Sequence, residues 1–307
     1  MDAHRIRAWL AAIEREEVEV SADATRHWSG PAEVAGADVV AVERFGPVWI
    51  LSTDGQAEVE PWKVAVGRAG CRSLWVRPLE KHDKGAPYLL AGDDIAATVV
   101  DEDGLRFEVR PGAGYSCGLF LDQRNNRRAL RRRARAGDRV LNLFAYTCSF
   151  SVAAAASKNV ATSVDLHQAY LDWGRRNFAH NGIDAKAHFW IKGDAFDWLA
   201  AFARKGRRFD GVVVDPPTFS RGTKQKVFRV EKDYAALVAL AARVVAPGGW
   251  LLLCANTHRQ GRRAFAEQVD DGLRAAGICF ERRSWEPMPD DFAGDDYLKS
   301  LWLDGRR

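Results

Sequence analysis

Along the second half of the chain, short apolar runs alternate with stretches whose apolar residues recur every three or four positions. Residues 139–144, 160–164, 187–191, 209–214 and 250–256 have the length and apolar content of buried strands. Residues 150–157, 168–180, 196–204 and 234–245 carry the helical period, and the second of these stops at Asn181-Gly182. Strands separated by helices pair in parallel, because the crossover that returns the chain must pack back on the sheet. The pattern predicts an α/β fold, a mostly parallel sheet with helices on both faces. Residues 278–284 and 297–303 add two strands without a full helix between them, which predicts an antiparallel hairpin at the sheet's edge. From 37 to 111 the pattern differs. Runs at 39–45, 48–52, 73–77, 95–101 and 105–110 are short, β-rich and separated by Gly, Pro and Asp, which reads as a small α+β lobe. Ahead of it, Ile6, Trp9, Leu10 and Ile13 stand at helical spacing behind Asp2, predicting a first helix over 2–17.

Length and charge sharpen this division. The 307 residues exceed an ordinary single domain, and the expected lobes are 1–115 and 116–307. The first holds 13 Lys and Arg against 20 Asp and Glu, the second 32 against 21, so an anionic partner should meet the second. With 47% hydrophobic and 28% charged residues the chain has the apolar surface to fold, which excludes a disordered protein. Its longest apolar runs are strand-sized and acids interrupt its N-terminal apolar residues, so no membrane span or signal peptide is expected and the expected location is cytoplasmic. Five cysteines, far apart and without CxxC spacing, indicate neither a disulfide framework nor a zinc site, and no metal is expected.

In open α/β sheets, ligands bind beyond the carboxyl ends of the strands. There the sequence places Asn142 to Ser149, Asp165, Asp194 and Asp215-Pro216-Pro217-Thr218-Phe219. A carboxylate directly after the second strand suits both hydroxyls of a ribose, and Asp194-Ala195 after the third suits an adenine amine. Any one of these acids, taken alone, is more ordinary as a turn former or helix cap. Neither GxGxxG nor GxxxxGK[ST] occurs, so no phosphate cradle is visible. An adenosine held by acids without phosphates fits S-adenosylmethionine, whose sulfonium is cationic. The two prolines hold Asp215 extended and remove two backbone donors, leaving acceptors at the pocket mouth, where Phe219 is placed to stack on a flat substrate. Methyl transfer needs in-line placement more than proton transfer, so Asp215, Pro216, Pro217 and Phe219 are the candidate catalytic platform.

These segments resemble a known family. Gly118 to Arg127, Leu141 to Thr147, Val164-Asp165, Tyr170 to Trp173, Asn177 to Gly182 and Asp215 to Phe219 are similar to bacterial large-subunit (23S) ribosomal RNA methyltransferases. That family includes cytosine-C5 and guanine-N7 enzymes with a GxFLDxR hairpin before a Rossmann-like, class I methyltransferase domain. The resemblance is close over 105–257 and looser over 37–104. It implies a seven-stranded sheet with an antiparallel edge strand, S-adenosylmethionine as cofactor and RNA, ribosomal RNA in particular, as partner. It further implies that Asn142, Phe144, Tyr146, Thr147 and Ser149 shape the methionine end of the cofactor pocket. Asp165 and Leu166 would hold the ribose and Asp194 and Ala195 the adenine, with Asp215 beside the cofactor and Phe120, Asp122 and Arg124 closing over it. Cys148 stands where the family commonly has Gly, which implies a tighter first loop.

Attack by cytosine C5 requires a thiolate to add to the ring first. In the cytosine-C5 members that thiol follows the fifth strand, at the position of Asn256 here. Cys254 falls two residues earlier inside an apolar run and reads as core. Asn256-Thr257 resembles the guanine-N7 branch, so a ring nitrogen is favoured over C5, an exocyclic amine remaining compatible. Arginines crowd 124–139, and on one helix Arg124, Arg128, Arg131 and Arg135 would share a face. Arg128, Arg131 and Arg135, with Lys224 and Lys226 after the diproline, are the candidate RNA contacts, against the alternative of a solvated face paired with acids of the first lobe. Two other functions stay open at this point, a small-molecule methyltransferase and a non-catalytic RNA-binding protein.

Overall fold

The structure is a computed structural model and describes residues 24–29, 39–53, 63, 70–79, 85–114, 116–221, 227–292 and 295–307. The helix expected over 2–17 and the candidate contacts Lys224 and Lys226 lie outside the described residues. The chain forms two compact units, Met1–Leu121 with Asp290–Ala293, and Asp122–Pro289 with Gly294–Arg307. The observed division thus falls a few residues after 115.

The first unit contains a five-stranded sheet in the order β1 (Ala24–Ser29), β2 (Val39–Phe45), β3 (Val48–Thr53), β4 (Ser73–Pro78) and β5 (Tyr88–Gly92). Only β3 and β4 run parallel. Every residue of β3 is buried, as its unbroken run of Val48-Trp49-Ile50-Leu51 requires. Glu43 is also buried, and its carboxylate takes Arg26 at 2.9 Å and Arg77 at 2.7 Å. Burial opposes its charge, but Arg77 and Arg26 outweigh that and hold its carboxyl below the usual range. β6 (Thr98–Glu102) and β7 (Leu105–Val109) form a separate hairpin closed by Asp103-Gly104, both with positive φ, the combination a two-residue turn between twisted strands needs. Residues 290–293 belong to this unit because Asp291 accepts the Arg26 N–H at 2.9 Å and Phe292 lies under the Arg26 guanidinium.

The second unit alternates as its pattern predicts. Its elements are α1 (Arg124–Arg133), β8 (Arg139–Leu143), α2 (Ser149–Ala156), β9 (Val160–Asp165), α3 (Gln168–His180), β10 (Phe189–Lys192), α4 (Ala195–Arg204) and β11 (Phe209–Val214). There follow β12 (Phe219–Arg221), β13 (Val227–Arg229), α5 (Val230–Val244), β14 (Val245–Asn256), α6 (Arg262–Ala276), β15 (Phe280–Trp285) and β16 (Leu298–Arg306). Seven strands pair in the order β10-β9-β8-β11-β14-β16-β15. Pairing is parallel from β10 to β14, and β16 runs antiparallel to both of its neighbours. The β15–β16 hairpin thus closes the edge with its reversed strand one place inside.

Side chains alternate across each strand. Leu141, Leu143, Val212, Val214, Leu251 and Leu253 pack with α4, α5 and α6 in the main apolar core. The neighbours between them face the other way, where Asn142 meets Ser151 of α2 and Cys254 meets Gln123 just before α1. Helices accordingly cover both faces. Among the described residues, no helix is long and apolar enough to cross a membrane.

Candidate active site

The chain order reverses between β8 and β11. From β8 it proceeds outward through β9 and β10, and on the other side through β14. Such a switch point opens a crevice at the carboxyl ends of the strands, since the loops leaving the two central strands turn to opposite sides. The register levels those ends, for Leu143 pairs with both Val164 and Val214, and Val214 with Leu253. The next residue on each strand, Phe144, Asp165, Asp215 and Cys254, therefore stands in one row along the rim of the sheet. Asp194 follows Lys192, which pairs with Asp165. The three acids singled out from the sequence open onto one edge.

The loop from Phe144 to Cys148 is shaped by left-handed backbone at Phe144, Tyr146 and Cys148, with φ of 54°, 46° and 64°. Non-glycine residues enter this region at a cost, and the loop holds them there with hydrogen bonds. Ala145 N–H donates to Val164 O at 3.0 Å, Cys148 N–H to Ala145 O at 2.7 Å, and Asn177 Nδ2 to Thr147 O at 2.9 Å. Asp165 anchors the centre, its Oδ2 accepting the Tyr146 N–H at 2.8 Å and its Oδ1 the His167 N–H at 2.9 Å. Burial raises the Asp165 pKa against the lowering effect of these two N–H groups. A half-buried carboxylate in that state gains from hydroxyl donors, and each oxygen keeps a lone pair for one. This fits a ribose. Tyr146 stacks edge-on against Tyr170 at 4.6 Å and faces Trp173 beyond it.

Cys148 holds the last left-handed position of this loop. Its side chain is fully buried and packs on Gly174 of α3, where a Cβ would come within 2.5 Å of the sulfur. Burial pushes the thiol up to about 12, so it is inert at neutral pH.

On the neighbouring strand the environment is different. Asp215 Oδ2 accepts Gln123 Nε2 at 2.9 Å. Burial and the charge of Asp122 push its carboxyl up to about 7, while Gln123 and Arg127 pull the other way. Asp122 is buried and accepts the Tyr297 hydroxyl at 3.2 Å. Pro216 is buried, Pro217 exposed, and Phe219 is 51% exposed beyond them. Thr218 Oγ1 ties the loop to Asn256 O at 2.6 Å.

Several residues expected at this site serve other ends. Asn142 is buried with its amide on Ser151 Oγ at 2.9 Å, and Ser151 contacts Ser163 Oγ at 2.8 Å, so the side chain ties β8 to α2 and β9 beneath the loop. Asp194 caps α4 through Oδ1 to the Phe196 N–H at 2.8 Å, which commits one of its oxygens and presents buried Ala195 as the first helical residue. Ser149 opens α2 and receives the buried Arg127 guanidinium at 3.5 Å. Thr147 is buried and Leu166 half-buried beside Asp165. Phe120 is 41% exposed and belongs to the first unit, whereas Asp122 and Arg124 belong to the second. The single arginine face does not form. α1 ends at Arg133, so Arg135 follows it, Arg124 is buried at its start and Arg128 half-buried, leaving Arg131 and Arg135 exposed.

Sequence reasoning missed Gln123, Asn126, Phe228 and Tyr234. Phe228 stacks near Phe144 and Phe196 at 6.4 and 5.7 Å, and Tyr234 donates to Cys254 O at 2.7 Å. Cys254 is core in burial but not in company, for its sulfur contacts Gln123 Oε1 and Ser300 Oγ, each at 3.9 Å. A hollow of about 460 Å³ lined by Arg133, Asp210, Trp250 and Asp304 lies at the amino ends of the strands, the end opposite to this chemistry.

A family model for S-adenosylmethionine-dependent methyltransferases matches residues 58–300. The chain belongs to that family. Methyltransferase relatives include the ribosomal RNA large subunit methyltransferase K of Neisseria meningitidis serogroup B, 38% identical over 66% of this chain and 54% of that protein. The K/L enzymes of Psychrobacter and Methylococcus capsulatus are 45% and 33% identical over 52% and 83% of this chain, covering 20% and 35% of their own lengths. The chain thus spans about half or less of these relatives. Among solved structures, SMU.776 complexed with SAH superposes with a TM-score of 0.83 at 23% identity, over 98% of this chain and 82% of that one. A methyltransferase from Agrobacterium tumefaciens gives 0.68 at 21%, over 86% and 87%. These likenesses establish a shared fold.

Proposed function

We propose that this methyltransferase acts on RNA, with ribosomal RNA as substrate class and a ring nitrogen as acceptor, guanine N7 being the model case. The observation that carries the reading is the single row formed by the Phe144 loop, Asp165 and Asp215 at the switch point. Asp165 would take the ribose hydroxyls, Leu166 and Ala195 flank the adenosine, and the loop from Phe144 to Ser149 would enclose the methionine end, with Tyr146 as its aromatic wall. When bound, S-adenosylmethionine supplies a methyl carbon made electrophilic by its sulfonium. Phe219 offers a face on which an unstacked base can lie. Asp215, when ionised, offsets the positive charge that methylation leaves on a ring nitrogen, and no proton needs to be removed.

The surroundings of Cys254 favour nitrogen over cytosine C5. Burial and nearby Asp215 raise its thiol well above the ordinary value, so the thiolate that C5 chemistry needs does not form. Exposed Arg131 and Arg135 support an electrostatic share of RNA binding, as do the names of the relatives. An RNA of this kind is met in the cytoplasm. Incubation with labelled S-adenosylmethionine and either large-subunit RNA, assembled subunits or a metabolite extract tests the reading. Label mapped by mass spectrometry to a methylated guanine is the expected result, and label confined to metabolites contradicts it. Arg131→Ala should reduce the slope of log affinity against log salt by about one.

A further inference from the structure

Behind Asp215 runs a line of buried side chains with no part in the chemistry above. Trp302 Nε1 donates to Asn126 Oδ1 at 3.1 Å, and Asn126 Nδ2 donates to Gln123 Oε1 at 2.6 Å and to Ser300 Oγ at 2.7 Å. Gln123 Nε2 then donates to Asp215 Oδ2. Trp302, Asn126, Ser300 and Gln123 are all buried. An indole nitrogen carries a proton and offers no lone pair, so Trp302 only donates. Its partner must be the oxygen of Asn126, which turns the Asn126 amino group toward Gln123, which in turn faces its own amino group to Asp215. The direction of the line is set at the end farthest from the site.

We propose that Trp302, Asn126 and Gln123 are a positioning relay that reserves Oδ2 of Asp215 as a hydrogen-bond acceptor and presents Oδ1 to the methyl-accepting base, so that Asp215 works as a carboxylate. This rests on Asp215 being the substrate-side group. Asp122, Arg127 of α1, Tyr234 of α5 and Cys254 of β14 are the other titratable groups around it. Burial and Asp122 favour the protonated form, and the relay opposes them with a donor that a charged Oδ2 accepts more strongly than a neutral one. Tyr234 and Cys254 stay neutral, both raised by burial and by the acid itself.

The test follows the Asp215 carboxyl directly, by 13C NMR of side-chain-labelled aspartate, taking as its resonance the one missing in Asp215→Asn. The parent should titrate near 7. Gln123→Met removes the donor and should raise the midpoint by about one unit, the worth of a hydrogen bond to a charged group. Asn126→Asp accepts from both neighbours, so Gln123 presents its oxygen to Asp215, and the midpoint should rise further. The acid limb of kcat should move equally with KM for RNA within about twofold. Trp302→Phe keeps an aromatic ring, though a smaller one, and removes the direction-setting proton, and gives a smaller rise should the amide variants fail to fold. Unmoved midpoints in folded variants overturn the relay. Shifted midpoints with no RNA methylated uphold the relay and overturn the RNA reading instead.

Discussion

Two aspartates stand at the carboxyl ends of β9 and β11, the strands on either side of β8, and are held in different ways. Asp165 accepts two backbone N–H groups from residues close in sequence, Tyr146 and His167. Asp215 is held by a single side-chain amide from Gln123 and has a second acid at its side. Backbone donors fix a carboxylate whatever its neighbours do, which suits a group that grips one constant ligand. A carboxylate held by a side chain and pressed by a like charge has its protonation poised near neutrality, which suits a group that responds to a reacting base. Under the proposed function, this contrast would separate holding from reacting along one row of the sheet.

The sharpest way to break this contrast is Asp215→Ala. Turnover should fall about 10²–10³-fold, as for removal of one preorganised electrostatic contact, and a loss below threefold in steady-state kinetics would deny Asp215 its role. Next comes the packing under the Asp165 side. Gly174→Ala drives a methyl into the Cys148 sulfur and should destabilise the protein by about 1–3 kcal/mol in denaturant titrations. Pairing it with Cys148→Gly should recover most of that, and simple additivity would show that the two do not share space. The smallest effect concerns charge. The native Asp215 carboxyl titrates near 7, above an unfolded carboxyl near 4, so the native state binds more protons in that window and its stability falls as pH rises through it. Asp215→Asn has no charge to desolvate, so it should melt a few degrees above the parent at pH 8 and level with it at pH 4. A melting gain independent of pH would contradict the poised carboxyl.

What the sequence revealed follows the same contrast. The strand at Phe209–Val214 and the helix at Gln168–His180 were legible to the residue, because each has a clean period and a polar stop. Helix α6 was not predicted, since only Phe265, Val269, Gly272 and Leu273 mark its buried stripe amid charged residues. β1 and β5 were also missed, β1 being interrupted by Arg26 and His27 and β5 being a half-exposed edge strand. Asp165 and Asp215 stood out because a strand's last residue is visible in its own run. That Asn142 would turn inward was not visible, because the polar partners that draw it there, Ser151 and Ser163, read as ordinary helix and strand residues. Gln123 lies beside predicted Asp122 and Arg124, yet its partner is far along the chain, and no local period connects them.

Calorimetric titration of S-adenosylhomocysteine into the parent, Asp165→Ala and Asp215→Ala tests the division of labour most directly. One ligand per chain should bind, about 10–100-fold more weakly in Asp165→Ala for the lost hydrogen bonds to a charged group and within about threefold of the parent in Asp215→Ala. Equal weakening in both variants, or no binding to the parent, would contradict it.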